Sequence, residues 1–153
     1  MPFFIKNASF AIGTERGDVI QSLESEAKLW HVIINPPFEL KTSSVYEKVP
    51  AFGLTKPGGV DRMFSAFLKE NNTNKIAENL HNDLQTIVLR DCPSLGKVFT
   101  HLEEAGAKGV LLSGSGPTVF GLFSEEKAPQ AAEKLRKIFT ERDAWRIYIA
   151  HTC

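Results

Sequence analysis

The sequence predicts an α+β fold in which an antiparallel sheet carries helices packed on one face. Two observations predict it. Short runs rich in Val, Ile, Leu and Phe, which are typical of strands, alternate with segments of helical apolar spacing. From Leu40 onward these segments follow the order strand, helices, strand, loop, strand, helix and strand. That order fits a sandwich of the ferredoxin-like type.

The first 41 residues are predicted to be mainly extended. Their apolar runs are rich in Phe, Ile and Val, and the pair Pro36-Pro37 ends one run because proline cannot donate to a ladder. The predicted strands are Phe3–Ile5, Phe10–Ile12 and Lys28–Asn35, followed by an extended piece Phe38–Lys41, with a turn cluster at Gly13–Asp18.

Five helices are predicted from apolar spacing and capping residues. Thr42–Ser44 are expected to cap the first helix, Gly106 to end the fourth in a left-handed conformation, and Ser124 to cap the fifth. Proline and glycine crowd the predicted loop Val49–Gly59. The helices are Val45–Lys48, Val60–Lys69, Lys75–Arg90, Ser94–Ala105 and Ser124–Thr140, and a closing strand follows at Trp145–Ala150.

A glycine-rich loop lies between the two adjacent apolar runs of Gly109–Phe123. We call Ser113–Thr118 the glycine loop. Gly114 and Gly116 permit positive φ, and the serine and threonine residues add hydroxyl donors. Such a loop is either an ordinary hairpin turn or an anion-binding loop. It contains no basic residue, so a phosphate site built on it requires a second element.

Composition excludes several function classes. The 18 Lys and Arg residues equal the 18 Asp and Glu residues, which argues against binding to nucleic acid or to an anionic membrane. No apolar run reaches the ~20 residues that span a bilayer and no signal segment opens the chain, so a cytoplasmic protein is expected. Cys92 and Cys153 are far apart and the four histidines are scattered, so no metal site is predicted.

Several motifs resemble those of the GHMP small-molecule kinases. Residues Ser113–Phe120, after the helix exit Ala105–Ala107, resemble the third conserved motif of that superfamily. Within it, the chain is most similar to the 4-diphosphocytidyl-2-C-methyl-D-erythritol kinases. The resemblance covers essentially the whole chain but only the C-terminal half of such an enzyme. Further matching segments are Pro2–Phe4, Gly13–Asp18, Lys41–Tyr46, Asn82–Leu84 and Pro93–Leu95.

The resemblance implies an ATP- and Mg²⁺-dependent phosphotransferase of non-mevalonate isoprenoid synthesis, acting on a hydroxyl of 4-diphosphocytidyl-2-C-methyl-D-erythritol. Tyr46 matches the aromatic residue that stacks on the cytosine ring of the substrate, and Thr42 lies in the same substrate-facing segment. The residues that match the motif supporting the phosphate-binding loop of the other domain are Ser113, Gly114, Ser115, Gly116, Pro117 and Thr118.

The chain also departs from the family pattern. Glu15 and Asp18 replace a common glycine and glutamate of the turn motif, and the family's catalytic aspartate would precede Met1, as would its main phosphate loop. The resemblance therefore implies that residues 1–35 are remnant strands of an N-terminal kinase domain and that residues 36–153 form the C-terminal domain. Such a chain carries no catalytic residue, binds substrate and is inactive without its N-terminal partner domain.

Two alternatives remain open at this stage. Another GHMP kinase, acting on homoserine, mevalonate or a sugar, would keep the glycine loop without the sequence around Tyr46. A stand-alone ferredoxin-like binding module without catalytic activity would use Ser113–Thr118 only as a turn.

Overall fold

The computed structural model describes residues 10–14, 19–23, 25–52, 70, 72–139 and 144–152. The predicted strand Phe3–Ile5 and helix Val60–Lys69 lie outside these residues, as do residues 53–59 of the predicted loop. The strands are β1 (Phe10–Thr14), β2 (Val19–Leu23), β3 (Trp30–Asn35), β4 (Gly109–Leu112), β5 (Val119–Phe123) and β6 (Arg146–His151). The helices are α1 (Thr42–Tyr46), α2 (Val49–Phe52), α3 (Thr73–Glu78), α4 (Leu84–Asp91), α5 (Ser94–Glu104) and α6 (Lys127–Phe139).

Four strands form an antiparallel sheet in the order β4-β5-β3-β6. Along the chain the order is strand, helices, strand, strand, helix and strand, so the predicted ferredoxin-like α+β fold is confirmed. Strands β1 and β2 form a separate antiparallel pair. β2 was not predicted, because its polar Gln21 and Ser22 interrupt any apolar run.

The central strand β3 requires a correction of the predicted domain boundary. Division at residue 35 assigns Trp30–Asn35 to an N-terminal remnant, yet this strand pairs with β5 on one side and with β6 on the other. The first strand of the fold is therefore β3, while the extended piece Phe38–Lys41 forms no strand. That the residues before β3 belong to an N-terminal kinase domain stays a prediction.

The main core lies between one face of the sheet and the helices. Alternation along β3 directs Val32 and Ile34 into this core, where both are completely buried. Helices α4, α5 and α6 supply the opposite wall through the apolar stripes that the sequence predicts. The buried residues that these three helices contribute to the core are Leu84, Ile87, Val88, Leu95, Val98, Leu102, Ala128, Ala131, Ala132 and Leu135.

A smaller cluster covers part of the other face. Leu122 of β5 points away from the main core and packs with Ile76 and Ala77 of α3, together with Ala27 and Leu29. Partly buried Phe10, Leu80 and Phe120 pack against this cluster. Strand β1 and helix α3 are therefore joined to the sheet by apolar contacts on its second face.

Helix boundaries differ from the predictions in three places. The predicted helix Lys75–Arg90 is two helices, α3 and α4, separated by residues 79–83, where the side-chain amides of Asn79 and Asn82 donate to backbone carbonyls. The first helix starts at Thr42, and Lys41 precedes it without a side-chain cap bond, so the predicted hydroxyl cap is wrong. The last helix starts at Lys127 rather than at Ser124.

Other helix features follow the sequence. Helix α5 ends where predicted, with Gly106 at a positive φ of 95°. Helix α2 falls at the start of the predicted loop, where Pro50 occupies an early helical position that tolerates proline. An early proline therefore does not exclude a short helix.

A matched pair of glycine substitutions tests the packing between α5 and β5. A Cβ at Gly121 would lie 2.9 Å from a ring carbon of Phe123 and 3.0 Å from the Cβ of Ala107, whereas a Cβ at Gly96 would meet no atom within 4 Å. We expect Gly121→Ala to destabilise the fold by ~1–3 kcal/mol. We expect Gly96→Ala, in a helix, to stabilise it by ~0.5–1 kcal/mol. Urea unfolding followed by circular dichroism measures both; a Gly121→Ala protein as stable as its parent would contradict the packing.

His31 supplies a test of the second face of the sheet. Its ring lies edge-on to Phe120, with 5.5 Å between the ring centroids. Burial lowers the pKa of His31 below its ordinary value of 6.5, although backbone hydrogen bonds at Leu29 and Ala150 oppose that shift.

Stability should consequently fall as the pH drops below ~6.5, because the unfolded chain takes up a proton that His31 in the fold resists. Below the lowered pKa, His31 is protonated in both the folded and the unfolded chain, and the stability that its neutral form contributes stays lost. We expect His31→Phe to weaken the dependence of the urea midpoint on pH between about pH 7.5 and about pH 5. An imidazole that titrates at or above 6.5 by NMR, or an identical pH dependence in the variant, would refute this assignment.

Candidate functional site

The glycine loop is a closed turn at the tip of the β4–β5 hairpin. The Ser113 N–H donates to the Thr118 carbonyl at 2.8 Å, and the Gly116 N–H donates to the Ser113 carbonyl at 2.9 Å. Gly114 and Gly116 have positive φ values of 56° and 75°, and the Gly116–Pro117 peptide is cis. The two glycines thus adopt the backbone conformations for which their residue type is suited.

The two glycines face different surroundings. A Cβ at Gly116 would lie 3.0 Å from Leu112 Cδ1 and 3.4 Å from Leu40 Cδ1, so this residue is packed against the protein. A Cβ at Gly114 would meet nothing within 4 Å. Ser113 and Gly114 are exposed, whereas the loop from Ser115 to Thr118 is half-buried. The loop therefore presents its first half to solvent and rests on its second half.

Two hydroxyls connect the glycine loop to the end of β3 and the start of α1. Thr118 Oγ1 donates to Asn35 Oδ1 at 3.2 Å. Thr42 Oγ1 and Ser115 Oγ are hydrogen-bonded at 2.9 Å across 73 positions of sequence. The fold thus brings Thr42 and the glycine loop, which the sequence analysis selected separately, into direct contact.

Helix α1 places Tyr46 one turn after Thr42. Residues four apart lie on the same side of a helix, so Tyr46 and Thr42 share a face. Val45, between them, is 5% exposed and fixes the helix to the main core, while Tyr46 is 57% exposed. A buried valine therefore holds a short helix whose tyrosine ring is open to a ligand.

Two amide side chains bond the glycine loop or the residue just before it, and sequence reasoning did not select them as site residues. Asn82 Nδ2 donates to the carbonyls of Leu112 and Gly114, both at 2.8 Å. Gln85 Oε1 accepts from the Leu112 N–H at 3.0 Å. We call Asn82 and Gln85 the amide clamp. Asn82 lies in a segment that carries the family resemblance, but no spacing rule relates it to a loop some thirty residues later.

Within the described residues, the side chains that hydrogen-bond the glycine loop are neutral. They are Asn35, Thr42 and Asn82, and Gln85 bonds Leu112 just before the loop. Lys48, just after α1, pairs with Asp91 at the end of α4. Across the described part of the chain, no three or more His, Cys, Asp and Glu side chains group as metal ligands, and no helix is long and apolar enough to cross a membrane.

The sequence of this domain matches a known family. Residues 63–141, just over half of the chain, match the family model described as GHMP kinases C terminal. The chain belongs to the GHMP kinase family. Two bacterial relatives are named 4-diphosphocytidyl-2-C-methyl-D-erythritol kinase. The protein from Syntrophotalea carbinolica is 37% identical over 150 residues, and that from Syntrophus aciditrophicus is 40% identical over 139.

The alignments cover this GHMP kinase chain almost entirely but cover its relatives only in part. They include 97% of the chain and 49% of the Syntrophotalea protein, and 90% of the chain and 47% of the Syntrophus protein. The chain thus spans about half the length of the relatives that it matches. The family match and these alignments confirm the sequence resemblance to the C-terminal half of this kinase family.

Solved structures show the same fold. A crystal structure of 4-(cytidine 5'-diphospho)-2C-methyl-D-erythritol kinase superposes with a TM-score of 0.73 at 26% identity, over 99% of this chain and 53% of that one. Homoserine kinase from Cytophaga hutchinsonii gives a TM-score of 0.72 at 21% identity, over 93% of this chain and 48% of its own. The second similarity extends to the fold alone.

Proposed function

We propose that the chain is the substrate-binding, C-terminal part of a cytoplasmic, ATP-dependent 4-diphosphocytidyl-2-C-methyl-D-erythritol kinase of non-mevalonate isoprenoid synthesis. The observation that carries the proposal is the 2.9 Å hydrogen bond between Thr42 and Ser115. It joins the Lys41–Tyr46 segment, which distinguishes this kinase within the family resemblance, to the glycine loop, which is common to the family. The names of relatives that align with nearly the whole chain support the same substrate.

Tyr46 is proposed to stack on the cytosine ring of the substrate. Its ring is largely exposed on α1, and the helix beneath it is anchored by buried Val45. A planar base buries well against such a ring, and each stacking contact contributes about 1–3 kcal/mol. Thr42, on the same face of the helix, is proposed to line the substrate site beside the glycine loop.

Ser113–Thr118 are proposed to support a phosphate site whose charged groups come from the N-terminal kinase domain. The loop supplies backbone N–H groups and hydroxyls, while the described side chains that hydrogen-bond it, those of Asn35, Thr42 and Asn82, are neutral. Phosphoryl transfer also requires charge neutralisation, which Mg²⁺ and cationic groups provide in such enzymes. The complete enzyme would bind ATP and Mg²⁺, with this chain forming one wall of the site.

Substitution of Tyr46 tests the substrate class. We expect Tyr46→Ala to weaken binding of cytidine diphosphate by about tenfold, because it removes a stacking contact of about 1–3 kcal/mol, and Tyr46→Phe to retain most of the affinity. Isothermal titration calorimetry of the purified chain measures both values. Tyr148→Ala is the matched control, since Tyr148 is 49% exposed but lies on β6, the edge strand opposite β4. Equal affinities of the Ala and Phe variants would refute stacking.

A turnover assay tests the division of labour between the two halves. We expect the purified 153-residue chain to form no phosphorylated product from 4-diphosphocytidyl-2-C-methyl-D-erythritol, ATP and Mg²⁺, because the groups that neutralise the phosphates are proposed to lie in the N-terminal kinase domain. The complete enzyme of Syntrophotalea carbinolica serves as positive control in the same phosphorus NMR assay. Product that disappears when Gly116 is changed to alanine would show that the chain is catalytic by itself.

A further inference from the structure

We propose that Asn82 is the positioning residue of the glycine loop and that it directs the Ser115 N–H toward a bound diphosphate group. The orientation of the loop follows from the hydrogen bonds of the amide clamp, while the choice of a diphosphate as the ligand rests on the proposed function. Asn82 is assigned no contact with the ligand. It acts through the backbone of the loop.

The carboxamide of Asn82 uses its oxygen and its nitrogen at the same time. Its Oδ1 accepts from the Leu84 N–H at 2.9 Å, at the start of α4. Its Nδ2 donates to the carbonyls of Leu112 and Gly114. Since an N–H must meet the oxygen and two carbonyls must meet the nitrogen, only one orientation of the amide satisfies all three partners. Aspartate could serve the first partner but not the other two.

The amide clamp also ends the edge of the sheet. Strand β4 lies at the edge of the described sheet, so within the described residues the polar groups on its outer side have no neighbouring strand. At Leu112, the last residue of β4, the N–H donates to Gln85 Oε1 and the C=O accepts from Asn82 Nδ2. The clamp thereby takes the place of a partner strand at Leu112, the residue that precedes the glycine loop.

Peptide planarity transmits this restraint to the loop. In a trans peptide the C=O and the following N–H point in opposite directions. Fixing the Leu112 carbonyl on Asn82 therefore turns the Ser113 N–H the other way, which agrees with its 2.8 Å bond to Thr118. By the same rule, fixing the Gly114 carbonyl turns the Ser115 N–H away from Asn82.

The Ser115 N–H is thus available to a ligand. It has no hydrogen-bond acceptor within the described residues, and it adjoins the hydroxyl pair formed by Ser115 and Thr42. Since one of the two paired hydroxyls uses its hydrogen in the bond between Thr42 and Ser115, one N–H and one O–H are left as donors for phosphate oxygens. Asn82 is accordingly the residue that fixes the direction of the Ser115 N–H within this group of donors.

The variants for the test separate positioning from charge and from folding. Asn82→Ser keeps an oxygen that can cap α4 but has no amide to donate to the loop. Asn82→Asp keeps the shape but replaces both donors with a carboxylate that faces two carbonyl oxygens. Asn79→Asp is the control for added charge, because Asn79 donates to the Lys75 carbonyl at 2.7 Å. Thermal unfolding verifies that each variant is folded.

Proton–nitrogen correlation NMR spectra of the full chain, recorded as inorganic pyrophosphate is added, provide the readout. In the parent and in Asn79→Asp we expect pyrophosphate to shift the Ser115 amide resonance. In both Asn82 variants we expect the loop resonances to move before any ligand is added and pyrophosphate affinity to fall by about tenfold. In Asn82→Asp the loop resonances should return toward their parent positions below about pH 4, when the new carboxyl group is protonated and can donate again.

Each outcome decides the inference. Loss of affinity in both Asn82 variants at unchanged fold supports positioning. Unmoved loop resonances, unchanged pyrophosphate affinity, or absence of a Ser115 shift in the parent overturns it, and a loss confined to Asn82→Asp shows a charge effect and also overturns it. Because the cytidine titration depends on Tyr46 and uses a different ligand, its failure would refute the proposed substrate without changing this result.

Discussion

The pairing of β3 with two neighbours is the constraint on which the rest of the domain depends. Val32 and Ile34 are completely buried beneath the helices, while the backbone of the same strand bonds β5 and β6. Where β3 ends, Asn35 bonds Thr118 of the glycine loop, and the chain then bends at Pro37 and Phe38 before α1. One strand thereby places both halves of the candidate site at the same end of the sheet.

Local signals in the sequence were sufficient for strands β3, β4 and β5 and for helices whose apolar residues face one core. The three strands lie within segments predicted from short runs of Val, Ile, Leu and Phe. Helices α5 and α6 lie close to where periodicity predicts them, because burial on one side imposes that period. The same signal failed for α3 and α4. Their stripes are continuous across residues 79–83, yet Ile76 faces the second cluster and Leu84 faces the main core, so the chain must turn between them. Periodicity records burial and does not distinguish one core from another.

The candidate site shows the same limit at the level of single residues. Thr42, Tyr46 and the glycine loop were selectable because they lie in contiguous motifs that resemble a family. Asn82 and Gln85 hold that loop through side-chain bonds to backbone groups about thirty positions away. Any residue can supply a backbone carbonyl, so such bonds leave no trace in the partner's sequence. Only the three-dimensional arrangement identifies these two amides as part of the site.

The neutral character of these contacts is compatible with the phosphate site that we propose for the glycine loop. Aiming donors requires directional hydrogen bonds, and amides supply them without introducing a charge that would compete with the ligand. Neutralising the phosphates is a separate task that fixed charges and metal ions perform. Since the chain spans about half of relatives that carry the kinase name, the two tasks can reside in different domains. Under the proposed function, the glycine loop would contribute direction and the N-terminal kinase domain would contribute charge.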